Sequence, residues 1–138
     1  MLRVQKGSIL IEGLISIIIF SIGVLALVGM QSVAIKNASQ AQYRNEAGSL
    51  AGQIINQMMV DQNNLSSYAG SSGGNASREA WETEVQRLLP NATATITYVD
   101  TTETPRLATV TLTWRAPDEA TDVQHQYVIS ASLMPSEN

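Results

Sequence analysis

The chain has 138 residues, a formal charge of −4 and no cysteine. The missing cysteine excludes disulfides and thiolate metal sites. The acidic balance argues against a nucleic-acid partner, because phosphate recognition needs a cationic surface.

The charges are unevenly placed. Arg3 and Lys6 make the first seven residues basic; from Ser8 to Ile35 the only charged side chain is Glu12, and from Gly13 to Ile35 there is none. Residues 36–138 hold six basic and eleven acidic side chains, a net −5. A chain with an apolar run followed by roughly a hundred mixed residues reads as a two-part molecule, its second part large enough for one modest core.

A secretory signal has a much shorter apolar stretch, closed by a small-x-small site, and neither feature is found here. A simple anchor needs about 20 apolar residues. Gly13–Ile35 provides them, with Arg3 and Lys6 keeping the amino end on the cytoplasmic side. An anchor alone leaves Glu12 unexplained, since a carboxylate in an apolar helix is costly and usually has a partner. Cleavage between Gly7 and Ser8 would create a positive amine four residues before Glu12, available to a neighbouring molecule. The alternative is that Glu12 sits hydrated at headgroup level.

Lys6-Gly7-Ser8-Ile9-Leu10-Ile11-Glu12 resembles the class III leader junction of type IV prepilins and type II secretion pseudopilins. The resemblance implies cleavage after Gly7 by a prepilin peptidase, N-methylation of Ser8, and pairing of Glu12 with a neighbouring subunit's amine during assembly. Ser8 replaces the family's usual phenylalanine, and Ile9 its frequent Thr or Ser. Ser21 to Gln31, then Arg44-Asn45-Glu46-Ala47, Leu50-Ala51 and Ile54 to Met58, are most similar to PilV-type minor pilins, the pilus modification proteins. The likeness covers roughly residues 1–60.

The family implies a leader at 1–7, a transmembrane and assembly half of a long helix at 8–35, and a periplasmic domain at 36–138. The implied fold is α+β and type IV pilin-like: a long amino-terminal helix against a small antiparallel sheet, with a short second helix. Implied partners are the prepilin peptidase, other major and minor pilins, the inner-membrane pilus assembly platform and, before assembly, membrane lipid. The implied location is the inner membrane, then the pilus. A minor pseudopilin of type II secretion shares the same amino-terminal logic, and a pilus-tip adhesive subunit is a further alternative.

No proline precedes Pro90, so a helix from about Ser8 to Met59 meets no break. Its second half is amphipathic, with Ala47, Leu50, Ala51, Ile54 and Met58 in one stripe; Met58 and Met59 are both expected in the core. Asp61 to Asn75 reads as a loop, ending in Ser71-Ser72-Gly73-Gly74-Asn75. Ser77 is expected to cap a helix to about Leu89, with Trp81, Val85, Leu88 and Leu89 on its buried face. Alternation predicts strands at Thr93–Val99, Leu107–Arg115 and Tyr127–Leu133, in an antiparallel meander. Thr104-Pro105 and Pro117-Asp118 fall in the connections.

No catalytic constellation is found, and no cofactor or metal is expected. His125 lacks ligand-spaced partners and is expected to be exposed. Asp118, Glu119 and Asp122 do not follow the calcium-loop pattern and read as a solvated acidic turn.

Overall fold

A computed structural model describes residues 6–101, 104–117 and 119–133. They form one long helix, α1 (Lys6–Val60), a short 3-10 segment (Gln62–Tyr68), a second helix, α2 (Ala76–Leu88), and three strands, β1 (Thr93–Thr101), β2 (Thr104–Trp114) and β3 (His125–Leu133). This α+β layout is like that of a type IV pilin, as the sequence predicts. The chain divides into two units, residues 1–39 and 40–138.

In the first unit, the described residues belong entirely to α1. Its large apolar side chains from Ile9 to Ile35 are exposed, and the helix is long and apolar enough to cross a membrane. Building a Cβ on Gly13, Gly23 or Gly29 meets nothing within 4 Å. Ser16 and Ser21 turn their hydroxyls onto the carbonyls of Glu12 and Ile17, at 2.8 and 2.7 Å, so neither presents an unsatisfied donor.

In the second unit, α1 contributes the predicted stripe, with Ile55 in addition. Ala47, Leu50, Ala51, Ile54, Ile55 and Met58 are buried in one cluster with Ala94 and Ile96 of β1 and Ala108, Val110, Leu112 and Trp114 of β2. Met58 is fully buried, but Met59 is 41% exposed. Adjacent residues stand about 100° apart around a helix; Leu50-Ala51 and Ile54-Ile55 both fit within the buried stripe, whereas Met59, in the last turn before Val60, falls outside it, and the expectation for Met59 fails.

The sheet is a meander in the order β1-β2-β3. Register runs from Thr93↔Thr113 to Thr101↔Thr104 in the first pair, and from Arg106↔Leu133 to Trp114↔His125 in the second. Alternation sends Ala108, Val110, Leu112 and Trp114 inward as predicted. Thr104-Pro105 opens β2 instead of preceding it, since proline is tolerated at a strand's beginning.

Two elements depart from the sequence reading. The supposed loop after α1 contains the 3-10 segment, which buries Leu65 and Tyr68. Its local bonds replace the missing periodicity: Asp61 accepts from Asn64 Nδ2 at 2.7 Å and from the Tyr68 hydroxyl at 3.0 Å. The cap of α2 is Asn75, not Ser77; its side chain accepts the Arg78 N–H at 2.8 Å. Gly73 and Gly74, at φ +71° and +117°, turn the chain into the extended conformation that a cap requires.

Candidate functional site

Gly7 and Ser8 lie in the opening turns of α1, and Glu12 follows one turn after Ser8. Four residues of helical spacing put positions 8 and 12 on the same face. Glu12 is exposed. Among the described residues no ion pair includes its carboxylate. Within the apolar run, α1 thus displays one exposed carboxylate.

Two polar clusters stand out among the described residues of the second unit. At the first, Glu119 Oε1 and Oε2 lie 2.9 and 3.0 Å from His125 Nε2. Glu119 Oε2 also accepts the Ala116 N–H at 3.0 Å, and Gln40 Nε2 donates to Oε1. Because His125 Nε2 must donate to the carboxylate, the 3.1 Å approach of Gln40 Nε2 to it is a contact between two donors held by one acceptor. The imidazole stacks on Trp114, with ring centroids 5.8 Å apart at 26°. The hydrogen bond from His125 pulls the Glu119 carboxyl below its ordinary range, aided by the Ala116 N–H and Gln40 and opposed by desolvation.

His125 and Glu119 are thus not the free surface groups expected from the sequence; their side chains are 30% and 20% exposed. Stacking on an indole and bonding to a residue six positions earlier require the β2–β3 turn to fold back, which no spacing rule encodes. Asp122 is exposed, whereas Asp118 lies outside the described residues. The arrangement ties α1 to the turn and the start of β3, and contains no nucleophile.

The second place centres on Arg78, which is fully buried. Its guanidinium donates to the carbonyls of Gly73 at 2.9 Å, Gly70 at 3.0 Å and, more weakly, Ala69 at 3.4 Å; its Nε has no partner. Asn75 joins this loop to the 3-10 segment through Ser67 Oγ at 2.9 Å. Gly70 in turn exchanges backbone bonds with Ile96 at 2.8 and 2.9 Å, which fastens the loop along β1. Sequence reasoning misses Arg78, because an arginine in the first turn of a polar helix looks like surface. The only hint is its place three residues after Asn75, beside a Gly-Gly pair.

A cleft of about 420 Å³ runs between α1 and α2, lined by Gln53, Gln57, Ala76, Ser77, Ala80, Trp81 and Glu84. Its one carboxylate, Glu84, is held by Arg87 at 2.8 Å and kept below its ordinary pKa by that bond. Trp81 closes the floor, its indole N–H donating to the Leu50 carbonyl at 2.8 Å. Among the described residues, no three His, Cys, Asp or Glu side chains meet in an arrangement able to hold a metal ion. No protein-family model, no curated protein and no solved structure matches this chain.

Proposed function

We propose that the chain is a minor pilin subunit of PilV type. It enters the bacterial inner membrane through residues 13–35, is cleaved after Gly7 by a prepilin peptidase, and is drawn into a type IV pilus with other pilins. Glu12 pairs with the amine of a neighbouring subunit's Ser8, and the protein catalyses no reaction.

The observation carrying this reading is a carboxylate without an ion pair among the described residues, at the head of a charge-free apolar run and one turn beyond a Gly-Ser pair that follows the basic residues Arg3 and Lys6. Inside an apolar environment such a carboxylate destabilises the chain by a few kcal/mol unless compensated. An amine supplied by another copy of the same junction removes that penalty only in an assembly, which couples charge pairing to polymerisation.

The test is the intact mass and amino-terminal fragment spectrum of the full chain recovered from native membranes containing an active prepilin peptidase. The expected chain begins at Ser8, with or without one added methyl. A chain beginning at Met1 would reduce the segment to an anchor and end the pilin reading. A Glu12→Gln variant is expected to be inserted and cleaved normally yet to be depleted from sheared filaments.

A further inference from the structure

The two edges of the sheet are treated very differently. The β1 edge is blunted: Gly70 bridges to Ile96 by two backbone hydrogen bonds, and the pairing with β2 shifts register between Val99 and Thr101. Covering loops and bulges are the usual means of protecting an edge from pairing with another chain. β3 has neither. It pairs with β2 without a register shift, and among the described residues no strand lies on its other side. Its sequence, HQYVISASL, contains no Asp, Glu, Lys, Arg, Pro or Gly, so the remaining protective devices are missing too.

Burial points the same way. On the core face, Ala108, Val110 and Leu112 of β2 are fully buried, whereas their β3 neighbours Ala131, Ile129 and Tyr127 are only half-buried. The core therefore thins towards β3.

We propose that β3 is an open pairing edge that accepts β3 of a second copy of this chain, antiparallel and centred on Ile129, giving a continuous six-stranded sheet. The second copy is singled out by fit; residues 36–138 as a whole carry a net −5 that opposes self-association, but β3 itself holds no Asp, Glu, Lys or Arg to add to it. Pairing about Ile129 sets Tyr127 opposite Ala131 and Val128 opposite Ser130, a large residue against a small one each time, and keeps the half-buried faces of both copies on the same side.

The contact is small. Nine residues run roughly 30 Å, and with a depth of about 10 Å the edge covers on the order of 300 Å² per partner, below the ~800 Å² of a standard stable interface. The dimer is therefore weak in dilute solution and forms where chains are concentrated, as in a membrane. It does not depend on cleavage after Gly7, which the amino-terminal mass reads separately.

The chain lacks cysteine, so single-cysteine variants report proximity without background. The full-length Ser130→Cys variant in native membranes is treated with a short bis-maleimide, and Thr97→Cys, exposed on the same sheet face but on β1, serves as reference. In the proposed sheet the two copies of position 130 are diagonal neighbours at about 7–8 Å. The two β1 strands are five strand spacings apart, roughly 24 Å.

The expected result is a cross-linked homodimer several-fold more abundant for Ser130→Cys, and its loss when Val128, 51% exposed, is also changed to Lys, an edge charge that opposes pairing. Equal yields at both positions, no homodimer at all, adducts only with a different protein, or a yield unmoved by Val128→Lys would each overturn the proposal. Unchanged near-ultraviolet circular dichroism of the Val128→Lys chain separates lost pairing from lost folding.

Discussion

Replacing Arg78 gives the sharpest test of how the outer domain is held. Two bonds of 2.9 and 3.0 Å link its guanidinium to the Gly73 and Gly70 carbonyls, and the 3.4 Å contact to Ala69 adds little. Bonds to a charged donor are each worth about 1.5–3 kcal/mol, but a buried ion opposes them with a desolvation penalty of several kcal/mol. In Arg78→Met both terms vanish together. The carbonyls are not fully orphaned, because Gly70 O still accepts from Ile96 and Gly73 is only half-buried. A net loss of about 2 kcal/mol follows. In Arg78→Lys the burial penalty stays while the forked geometry is lost, since one ammonium does not span carbonyls that a planar guanidinium bridges. The conservative change is therefore expected to be at least as damaging as the apolar one. Full-length protein in detergent, unfolded thermally and followed by the fluorescence of Trp81 and Trp114, is expected to show Tm lowered by about 10 °C or more in both variants. Hydrogen exchange in residues 69–75 should accelerate in parallel. An Arg78→Lys protein within about 0.5 kcal/mol of the parent, a change typical of unremarkable surface positions, would refute the reasoning, because the site would then be wet.

The same unfolding assay checks three further expectations. Gly74→Ala, where a Cβ would stand 2.4 Å from the Ser67 carbonyl oxygen at φ +117°, should lower stability by about 2–3 kcal/mol; Gly73→Ala, at φ +71° with open space, should lower it by about 1 kcal/mol. Met58→Ala should remove about 2–5 kcal/mol and Met59→Ala less than about 0.5 kcal/mol, so equal effects would mean that α1 is rotated from its described orientation. The Glu119 carboxyl titrates below its ordinary 4.5 in the folded chain because His125 stabilises the anion. A depressed folded value adds stability that is present above the unfolded pKa and disappears as pH falls through the folded one. Glu119→Gln should accordingly differ from the parent at pH 7 and converge with it only as pH falls below 4.5 and through the depressed folded value; a difference that persists in strong acid would mean that Glu119 acts by packing instead of charge.

What the sequence discloses and what it conceals follow from the range of the forces involved. The stripe Ala47–Met58 and the alternation of β2 are one-dimensional records of burial, and they predict the packed faces except at Ile55 and Met59. The α2 cap illustrates a local ambiguity: Asn75 and Ser77 are both good caps, and the Gly73-Gly74 turn decides between them. Arg78 and the Gln40–Glu119–His125 group are invisible beforehand for another reason. Their partners are backbone carbonyls of a loop, or side chains up to 79 positions apart, so no periodicity or spacing announces them. The junction at Gly7, Ser8 and Glu12 is legible only as a resemblance joined to a charge argument. The helix places these residues one turn apart but does not supply the amine.

The order in which the core's components appear along the chain has a consequence for its birth. The α1 stripe ends at Met58, whereas the last strand ends at Leu133, some 75 residues later. At about 5–20 residues per second of synthesis, the stripe waits roughly 4–15 seconds for the finished sheet. Leu65, Tyr68 and Trp81, all buried in the final core, emerge during that interval and can shield the stripe provisionally. The short elements between helix and sheet thus act in time as well as in space, as early cover for an apolar surface whose permanent partner has not yet been made.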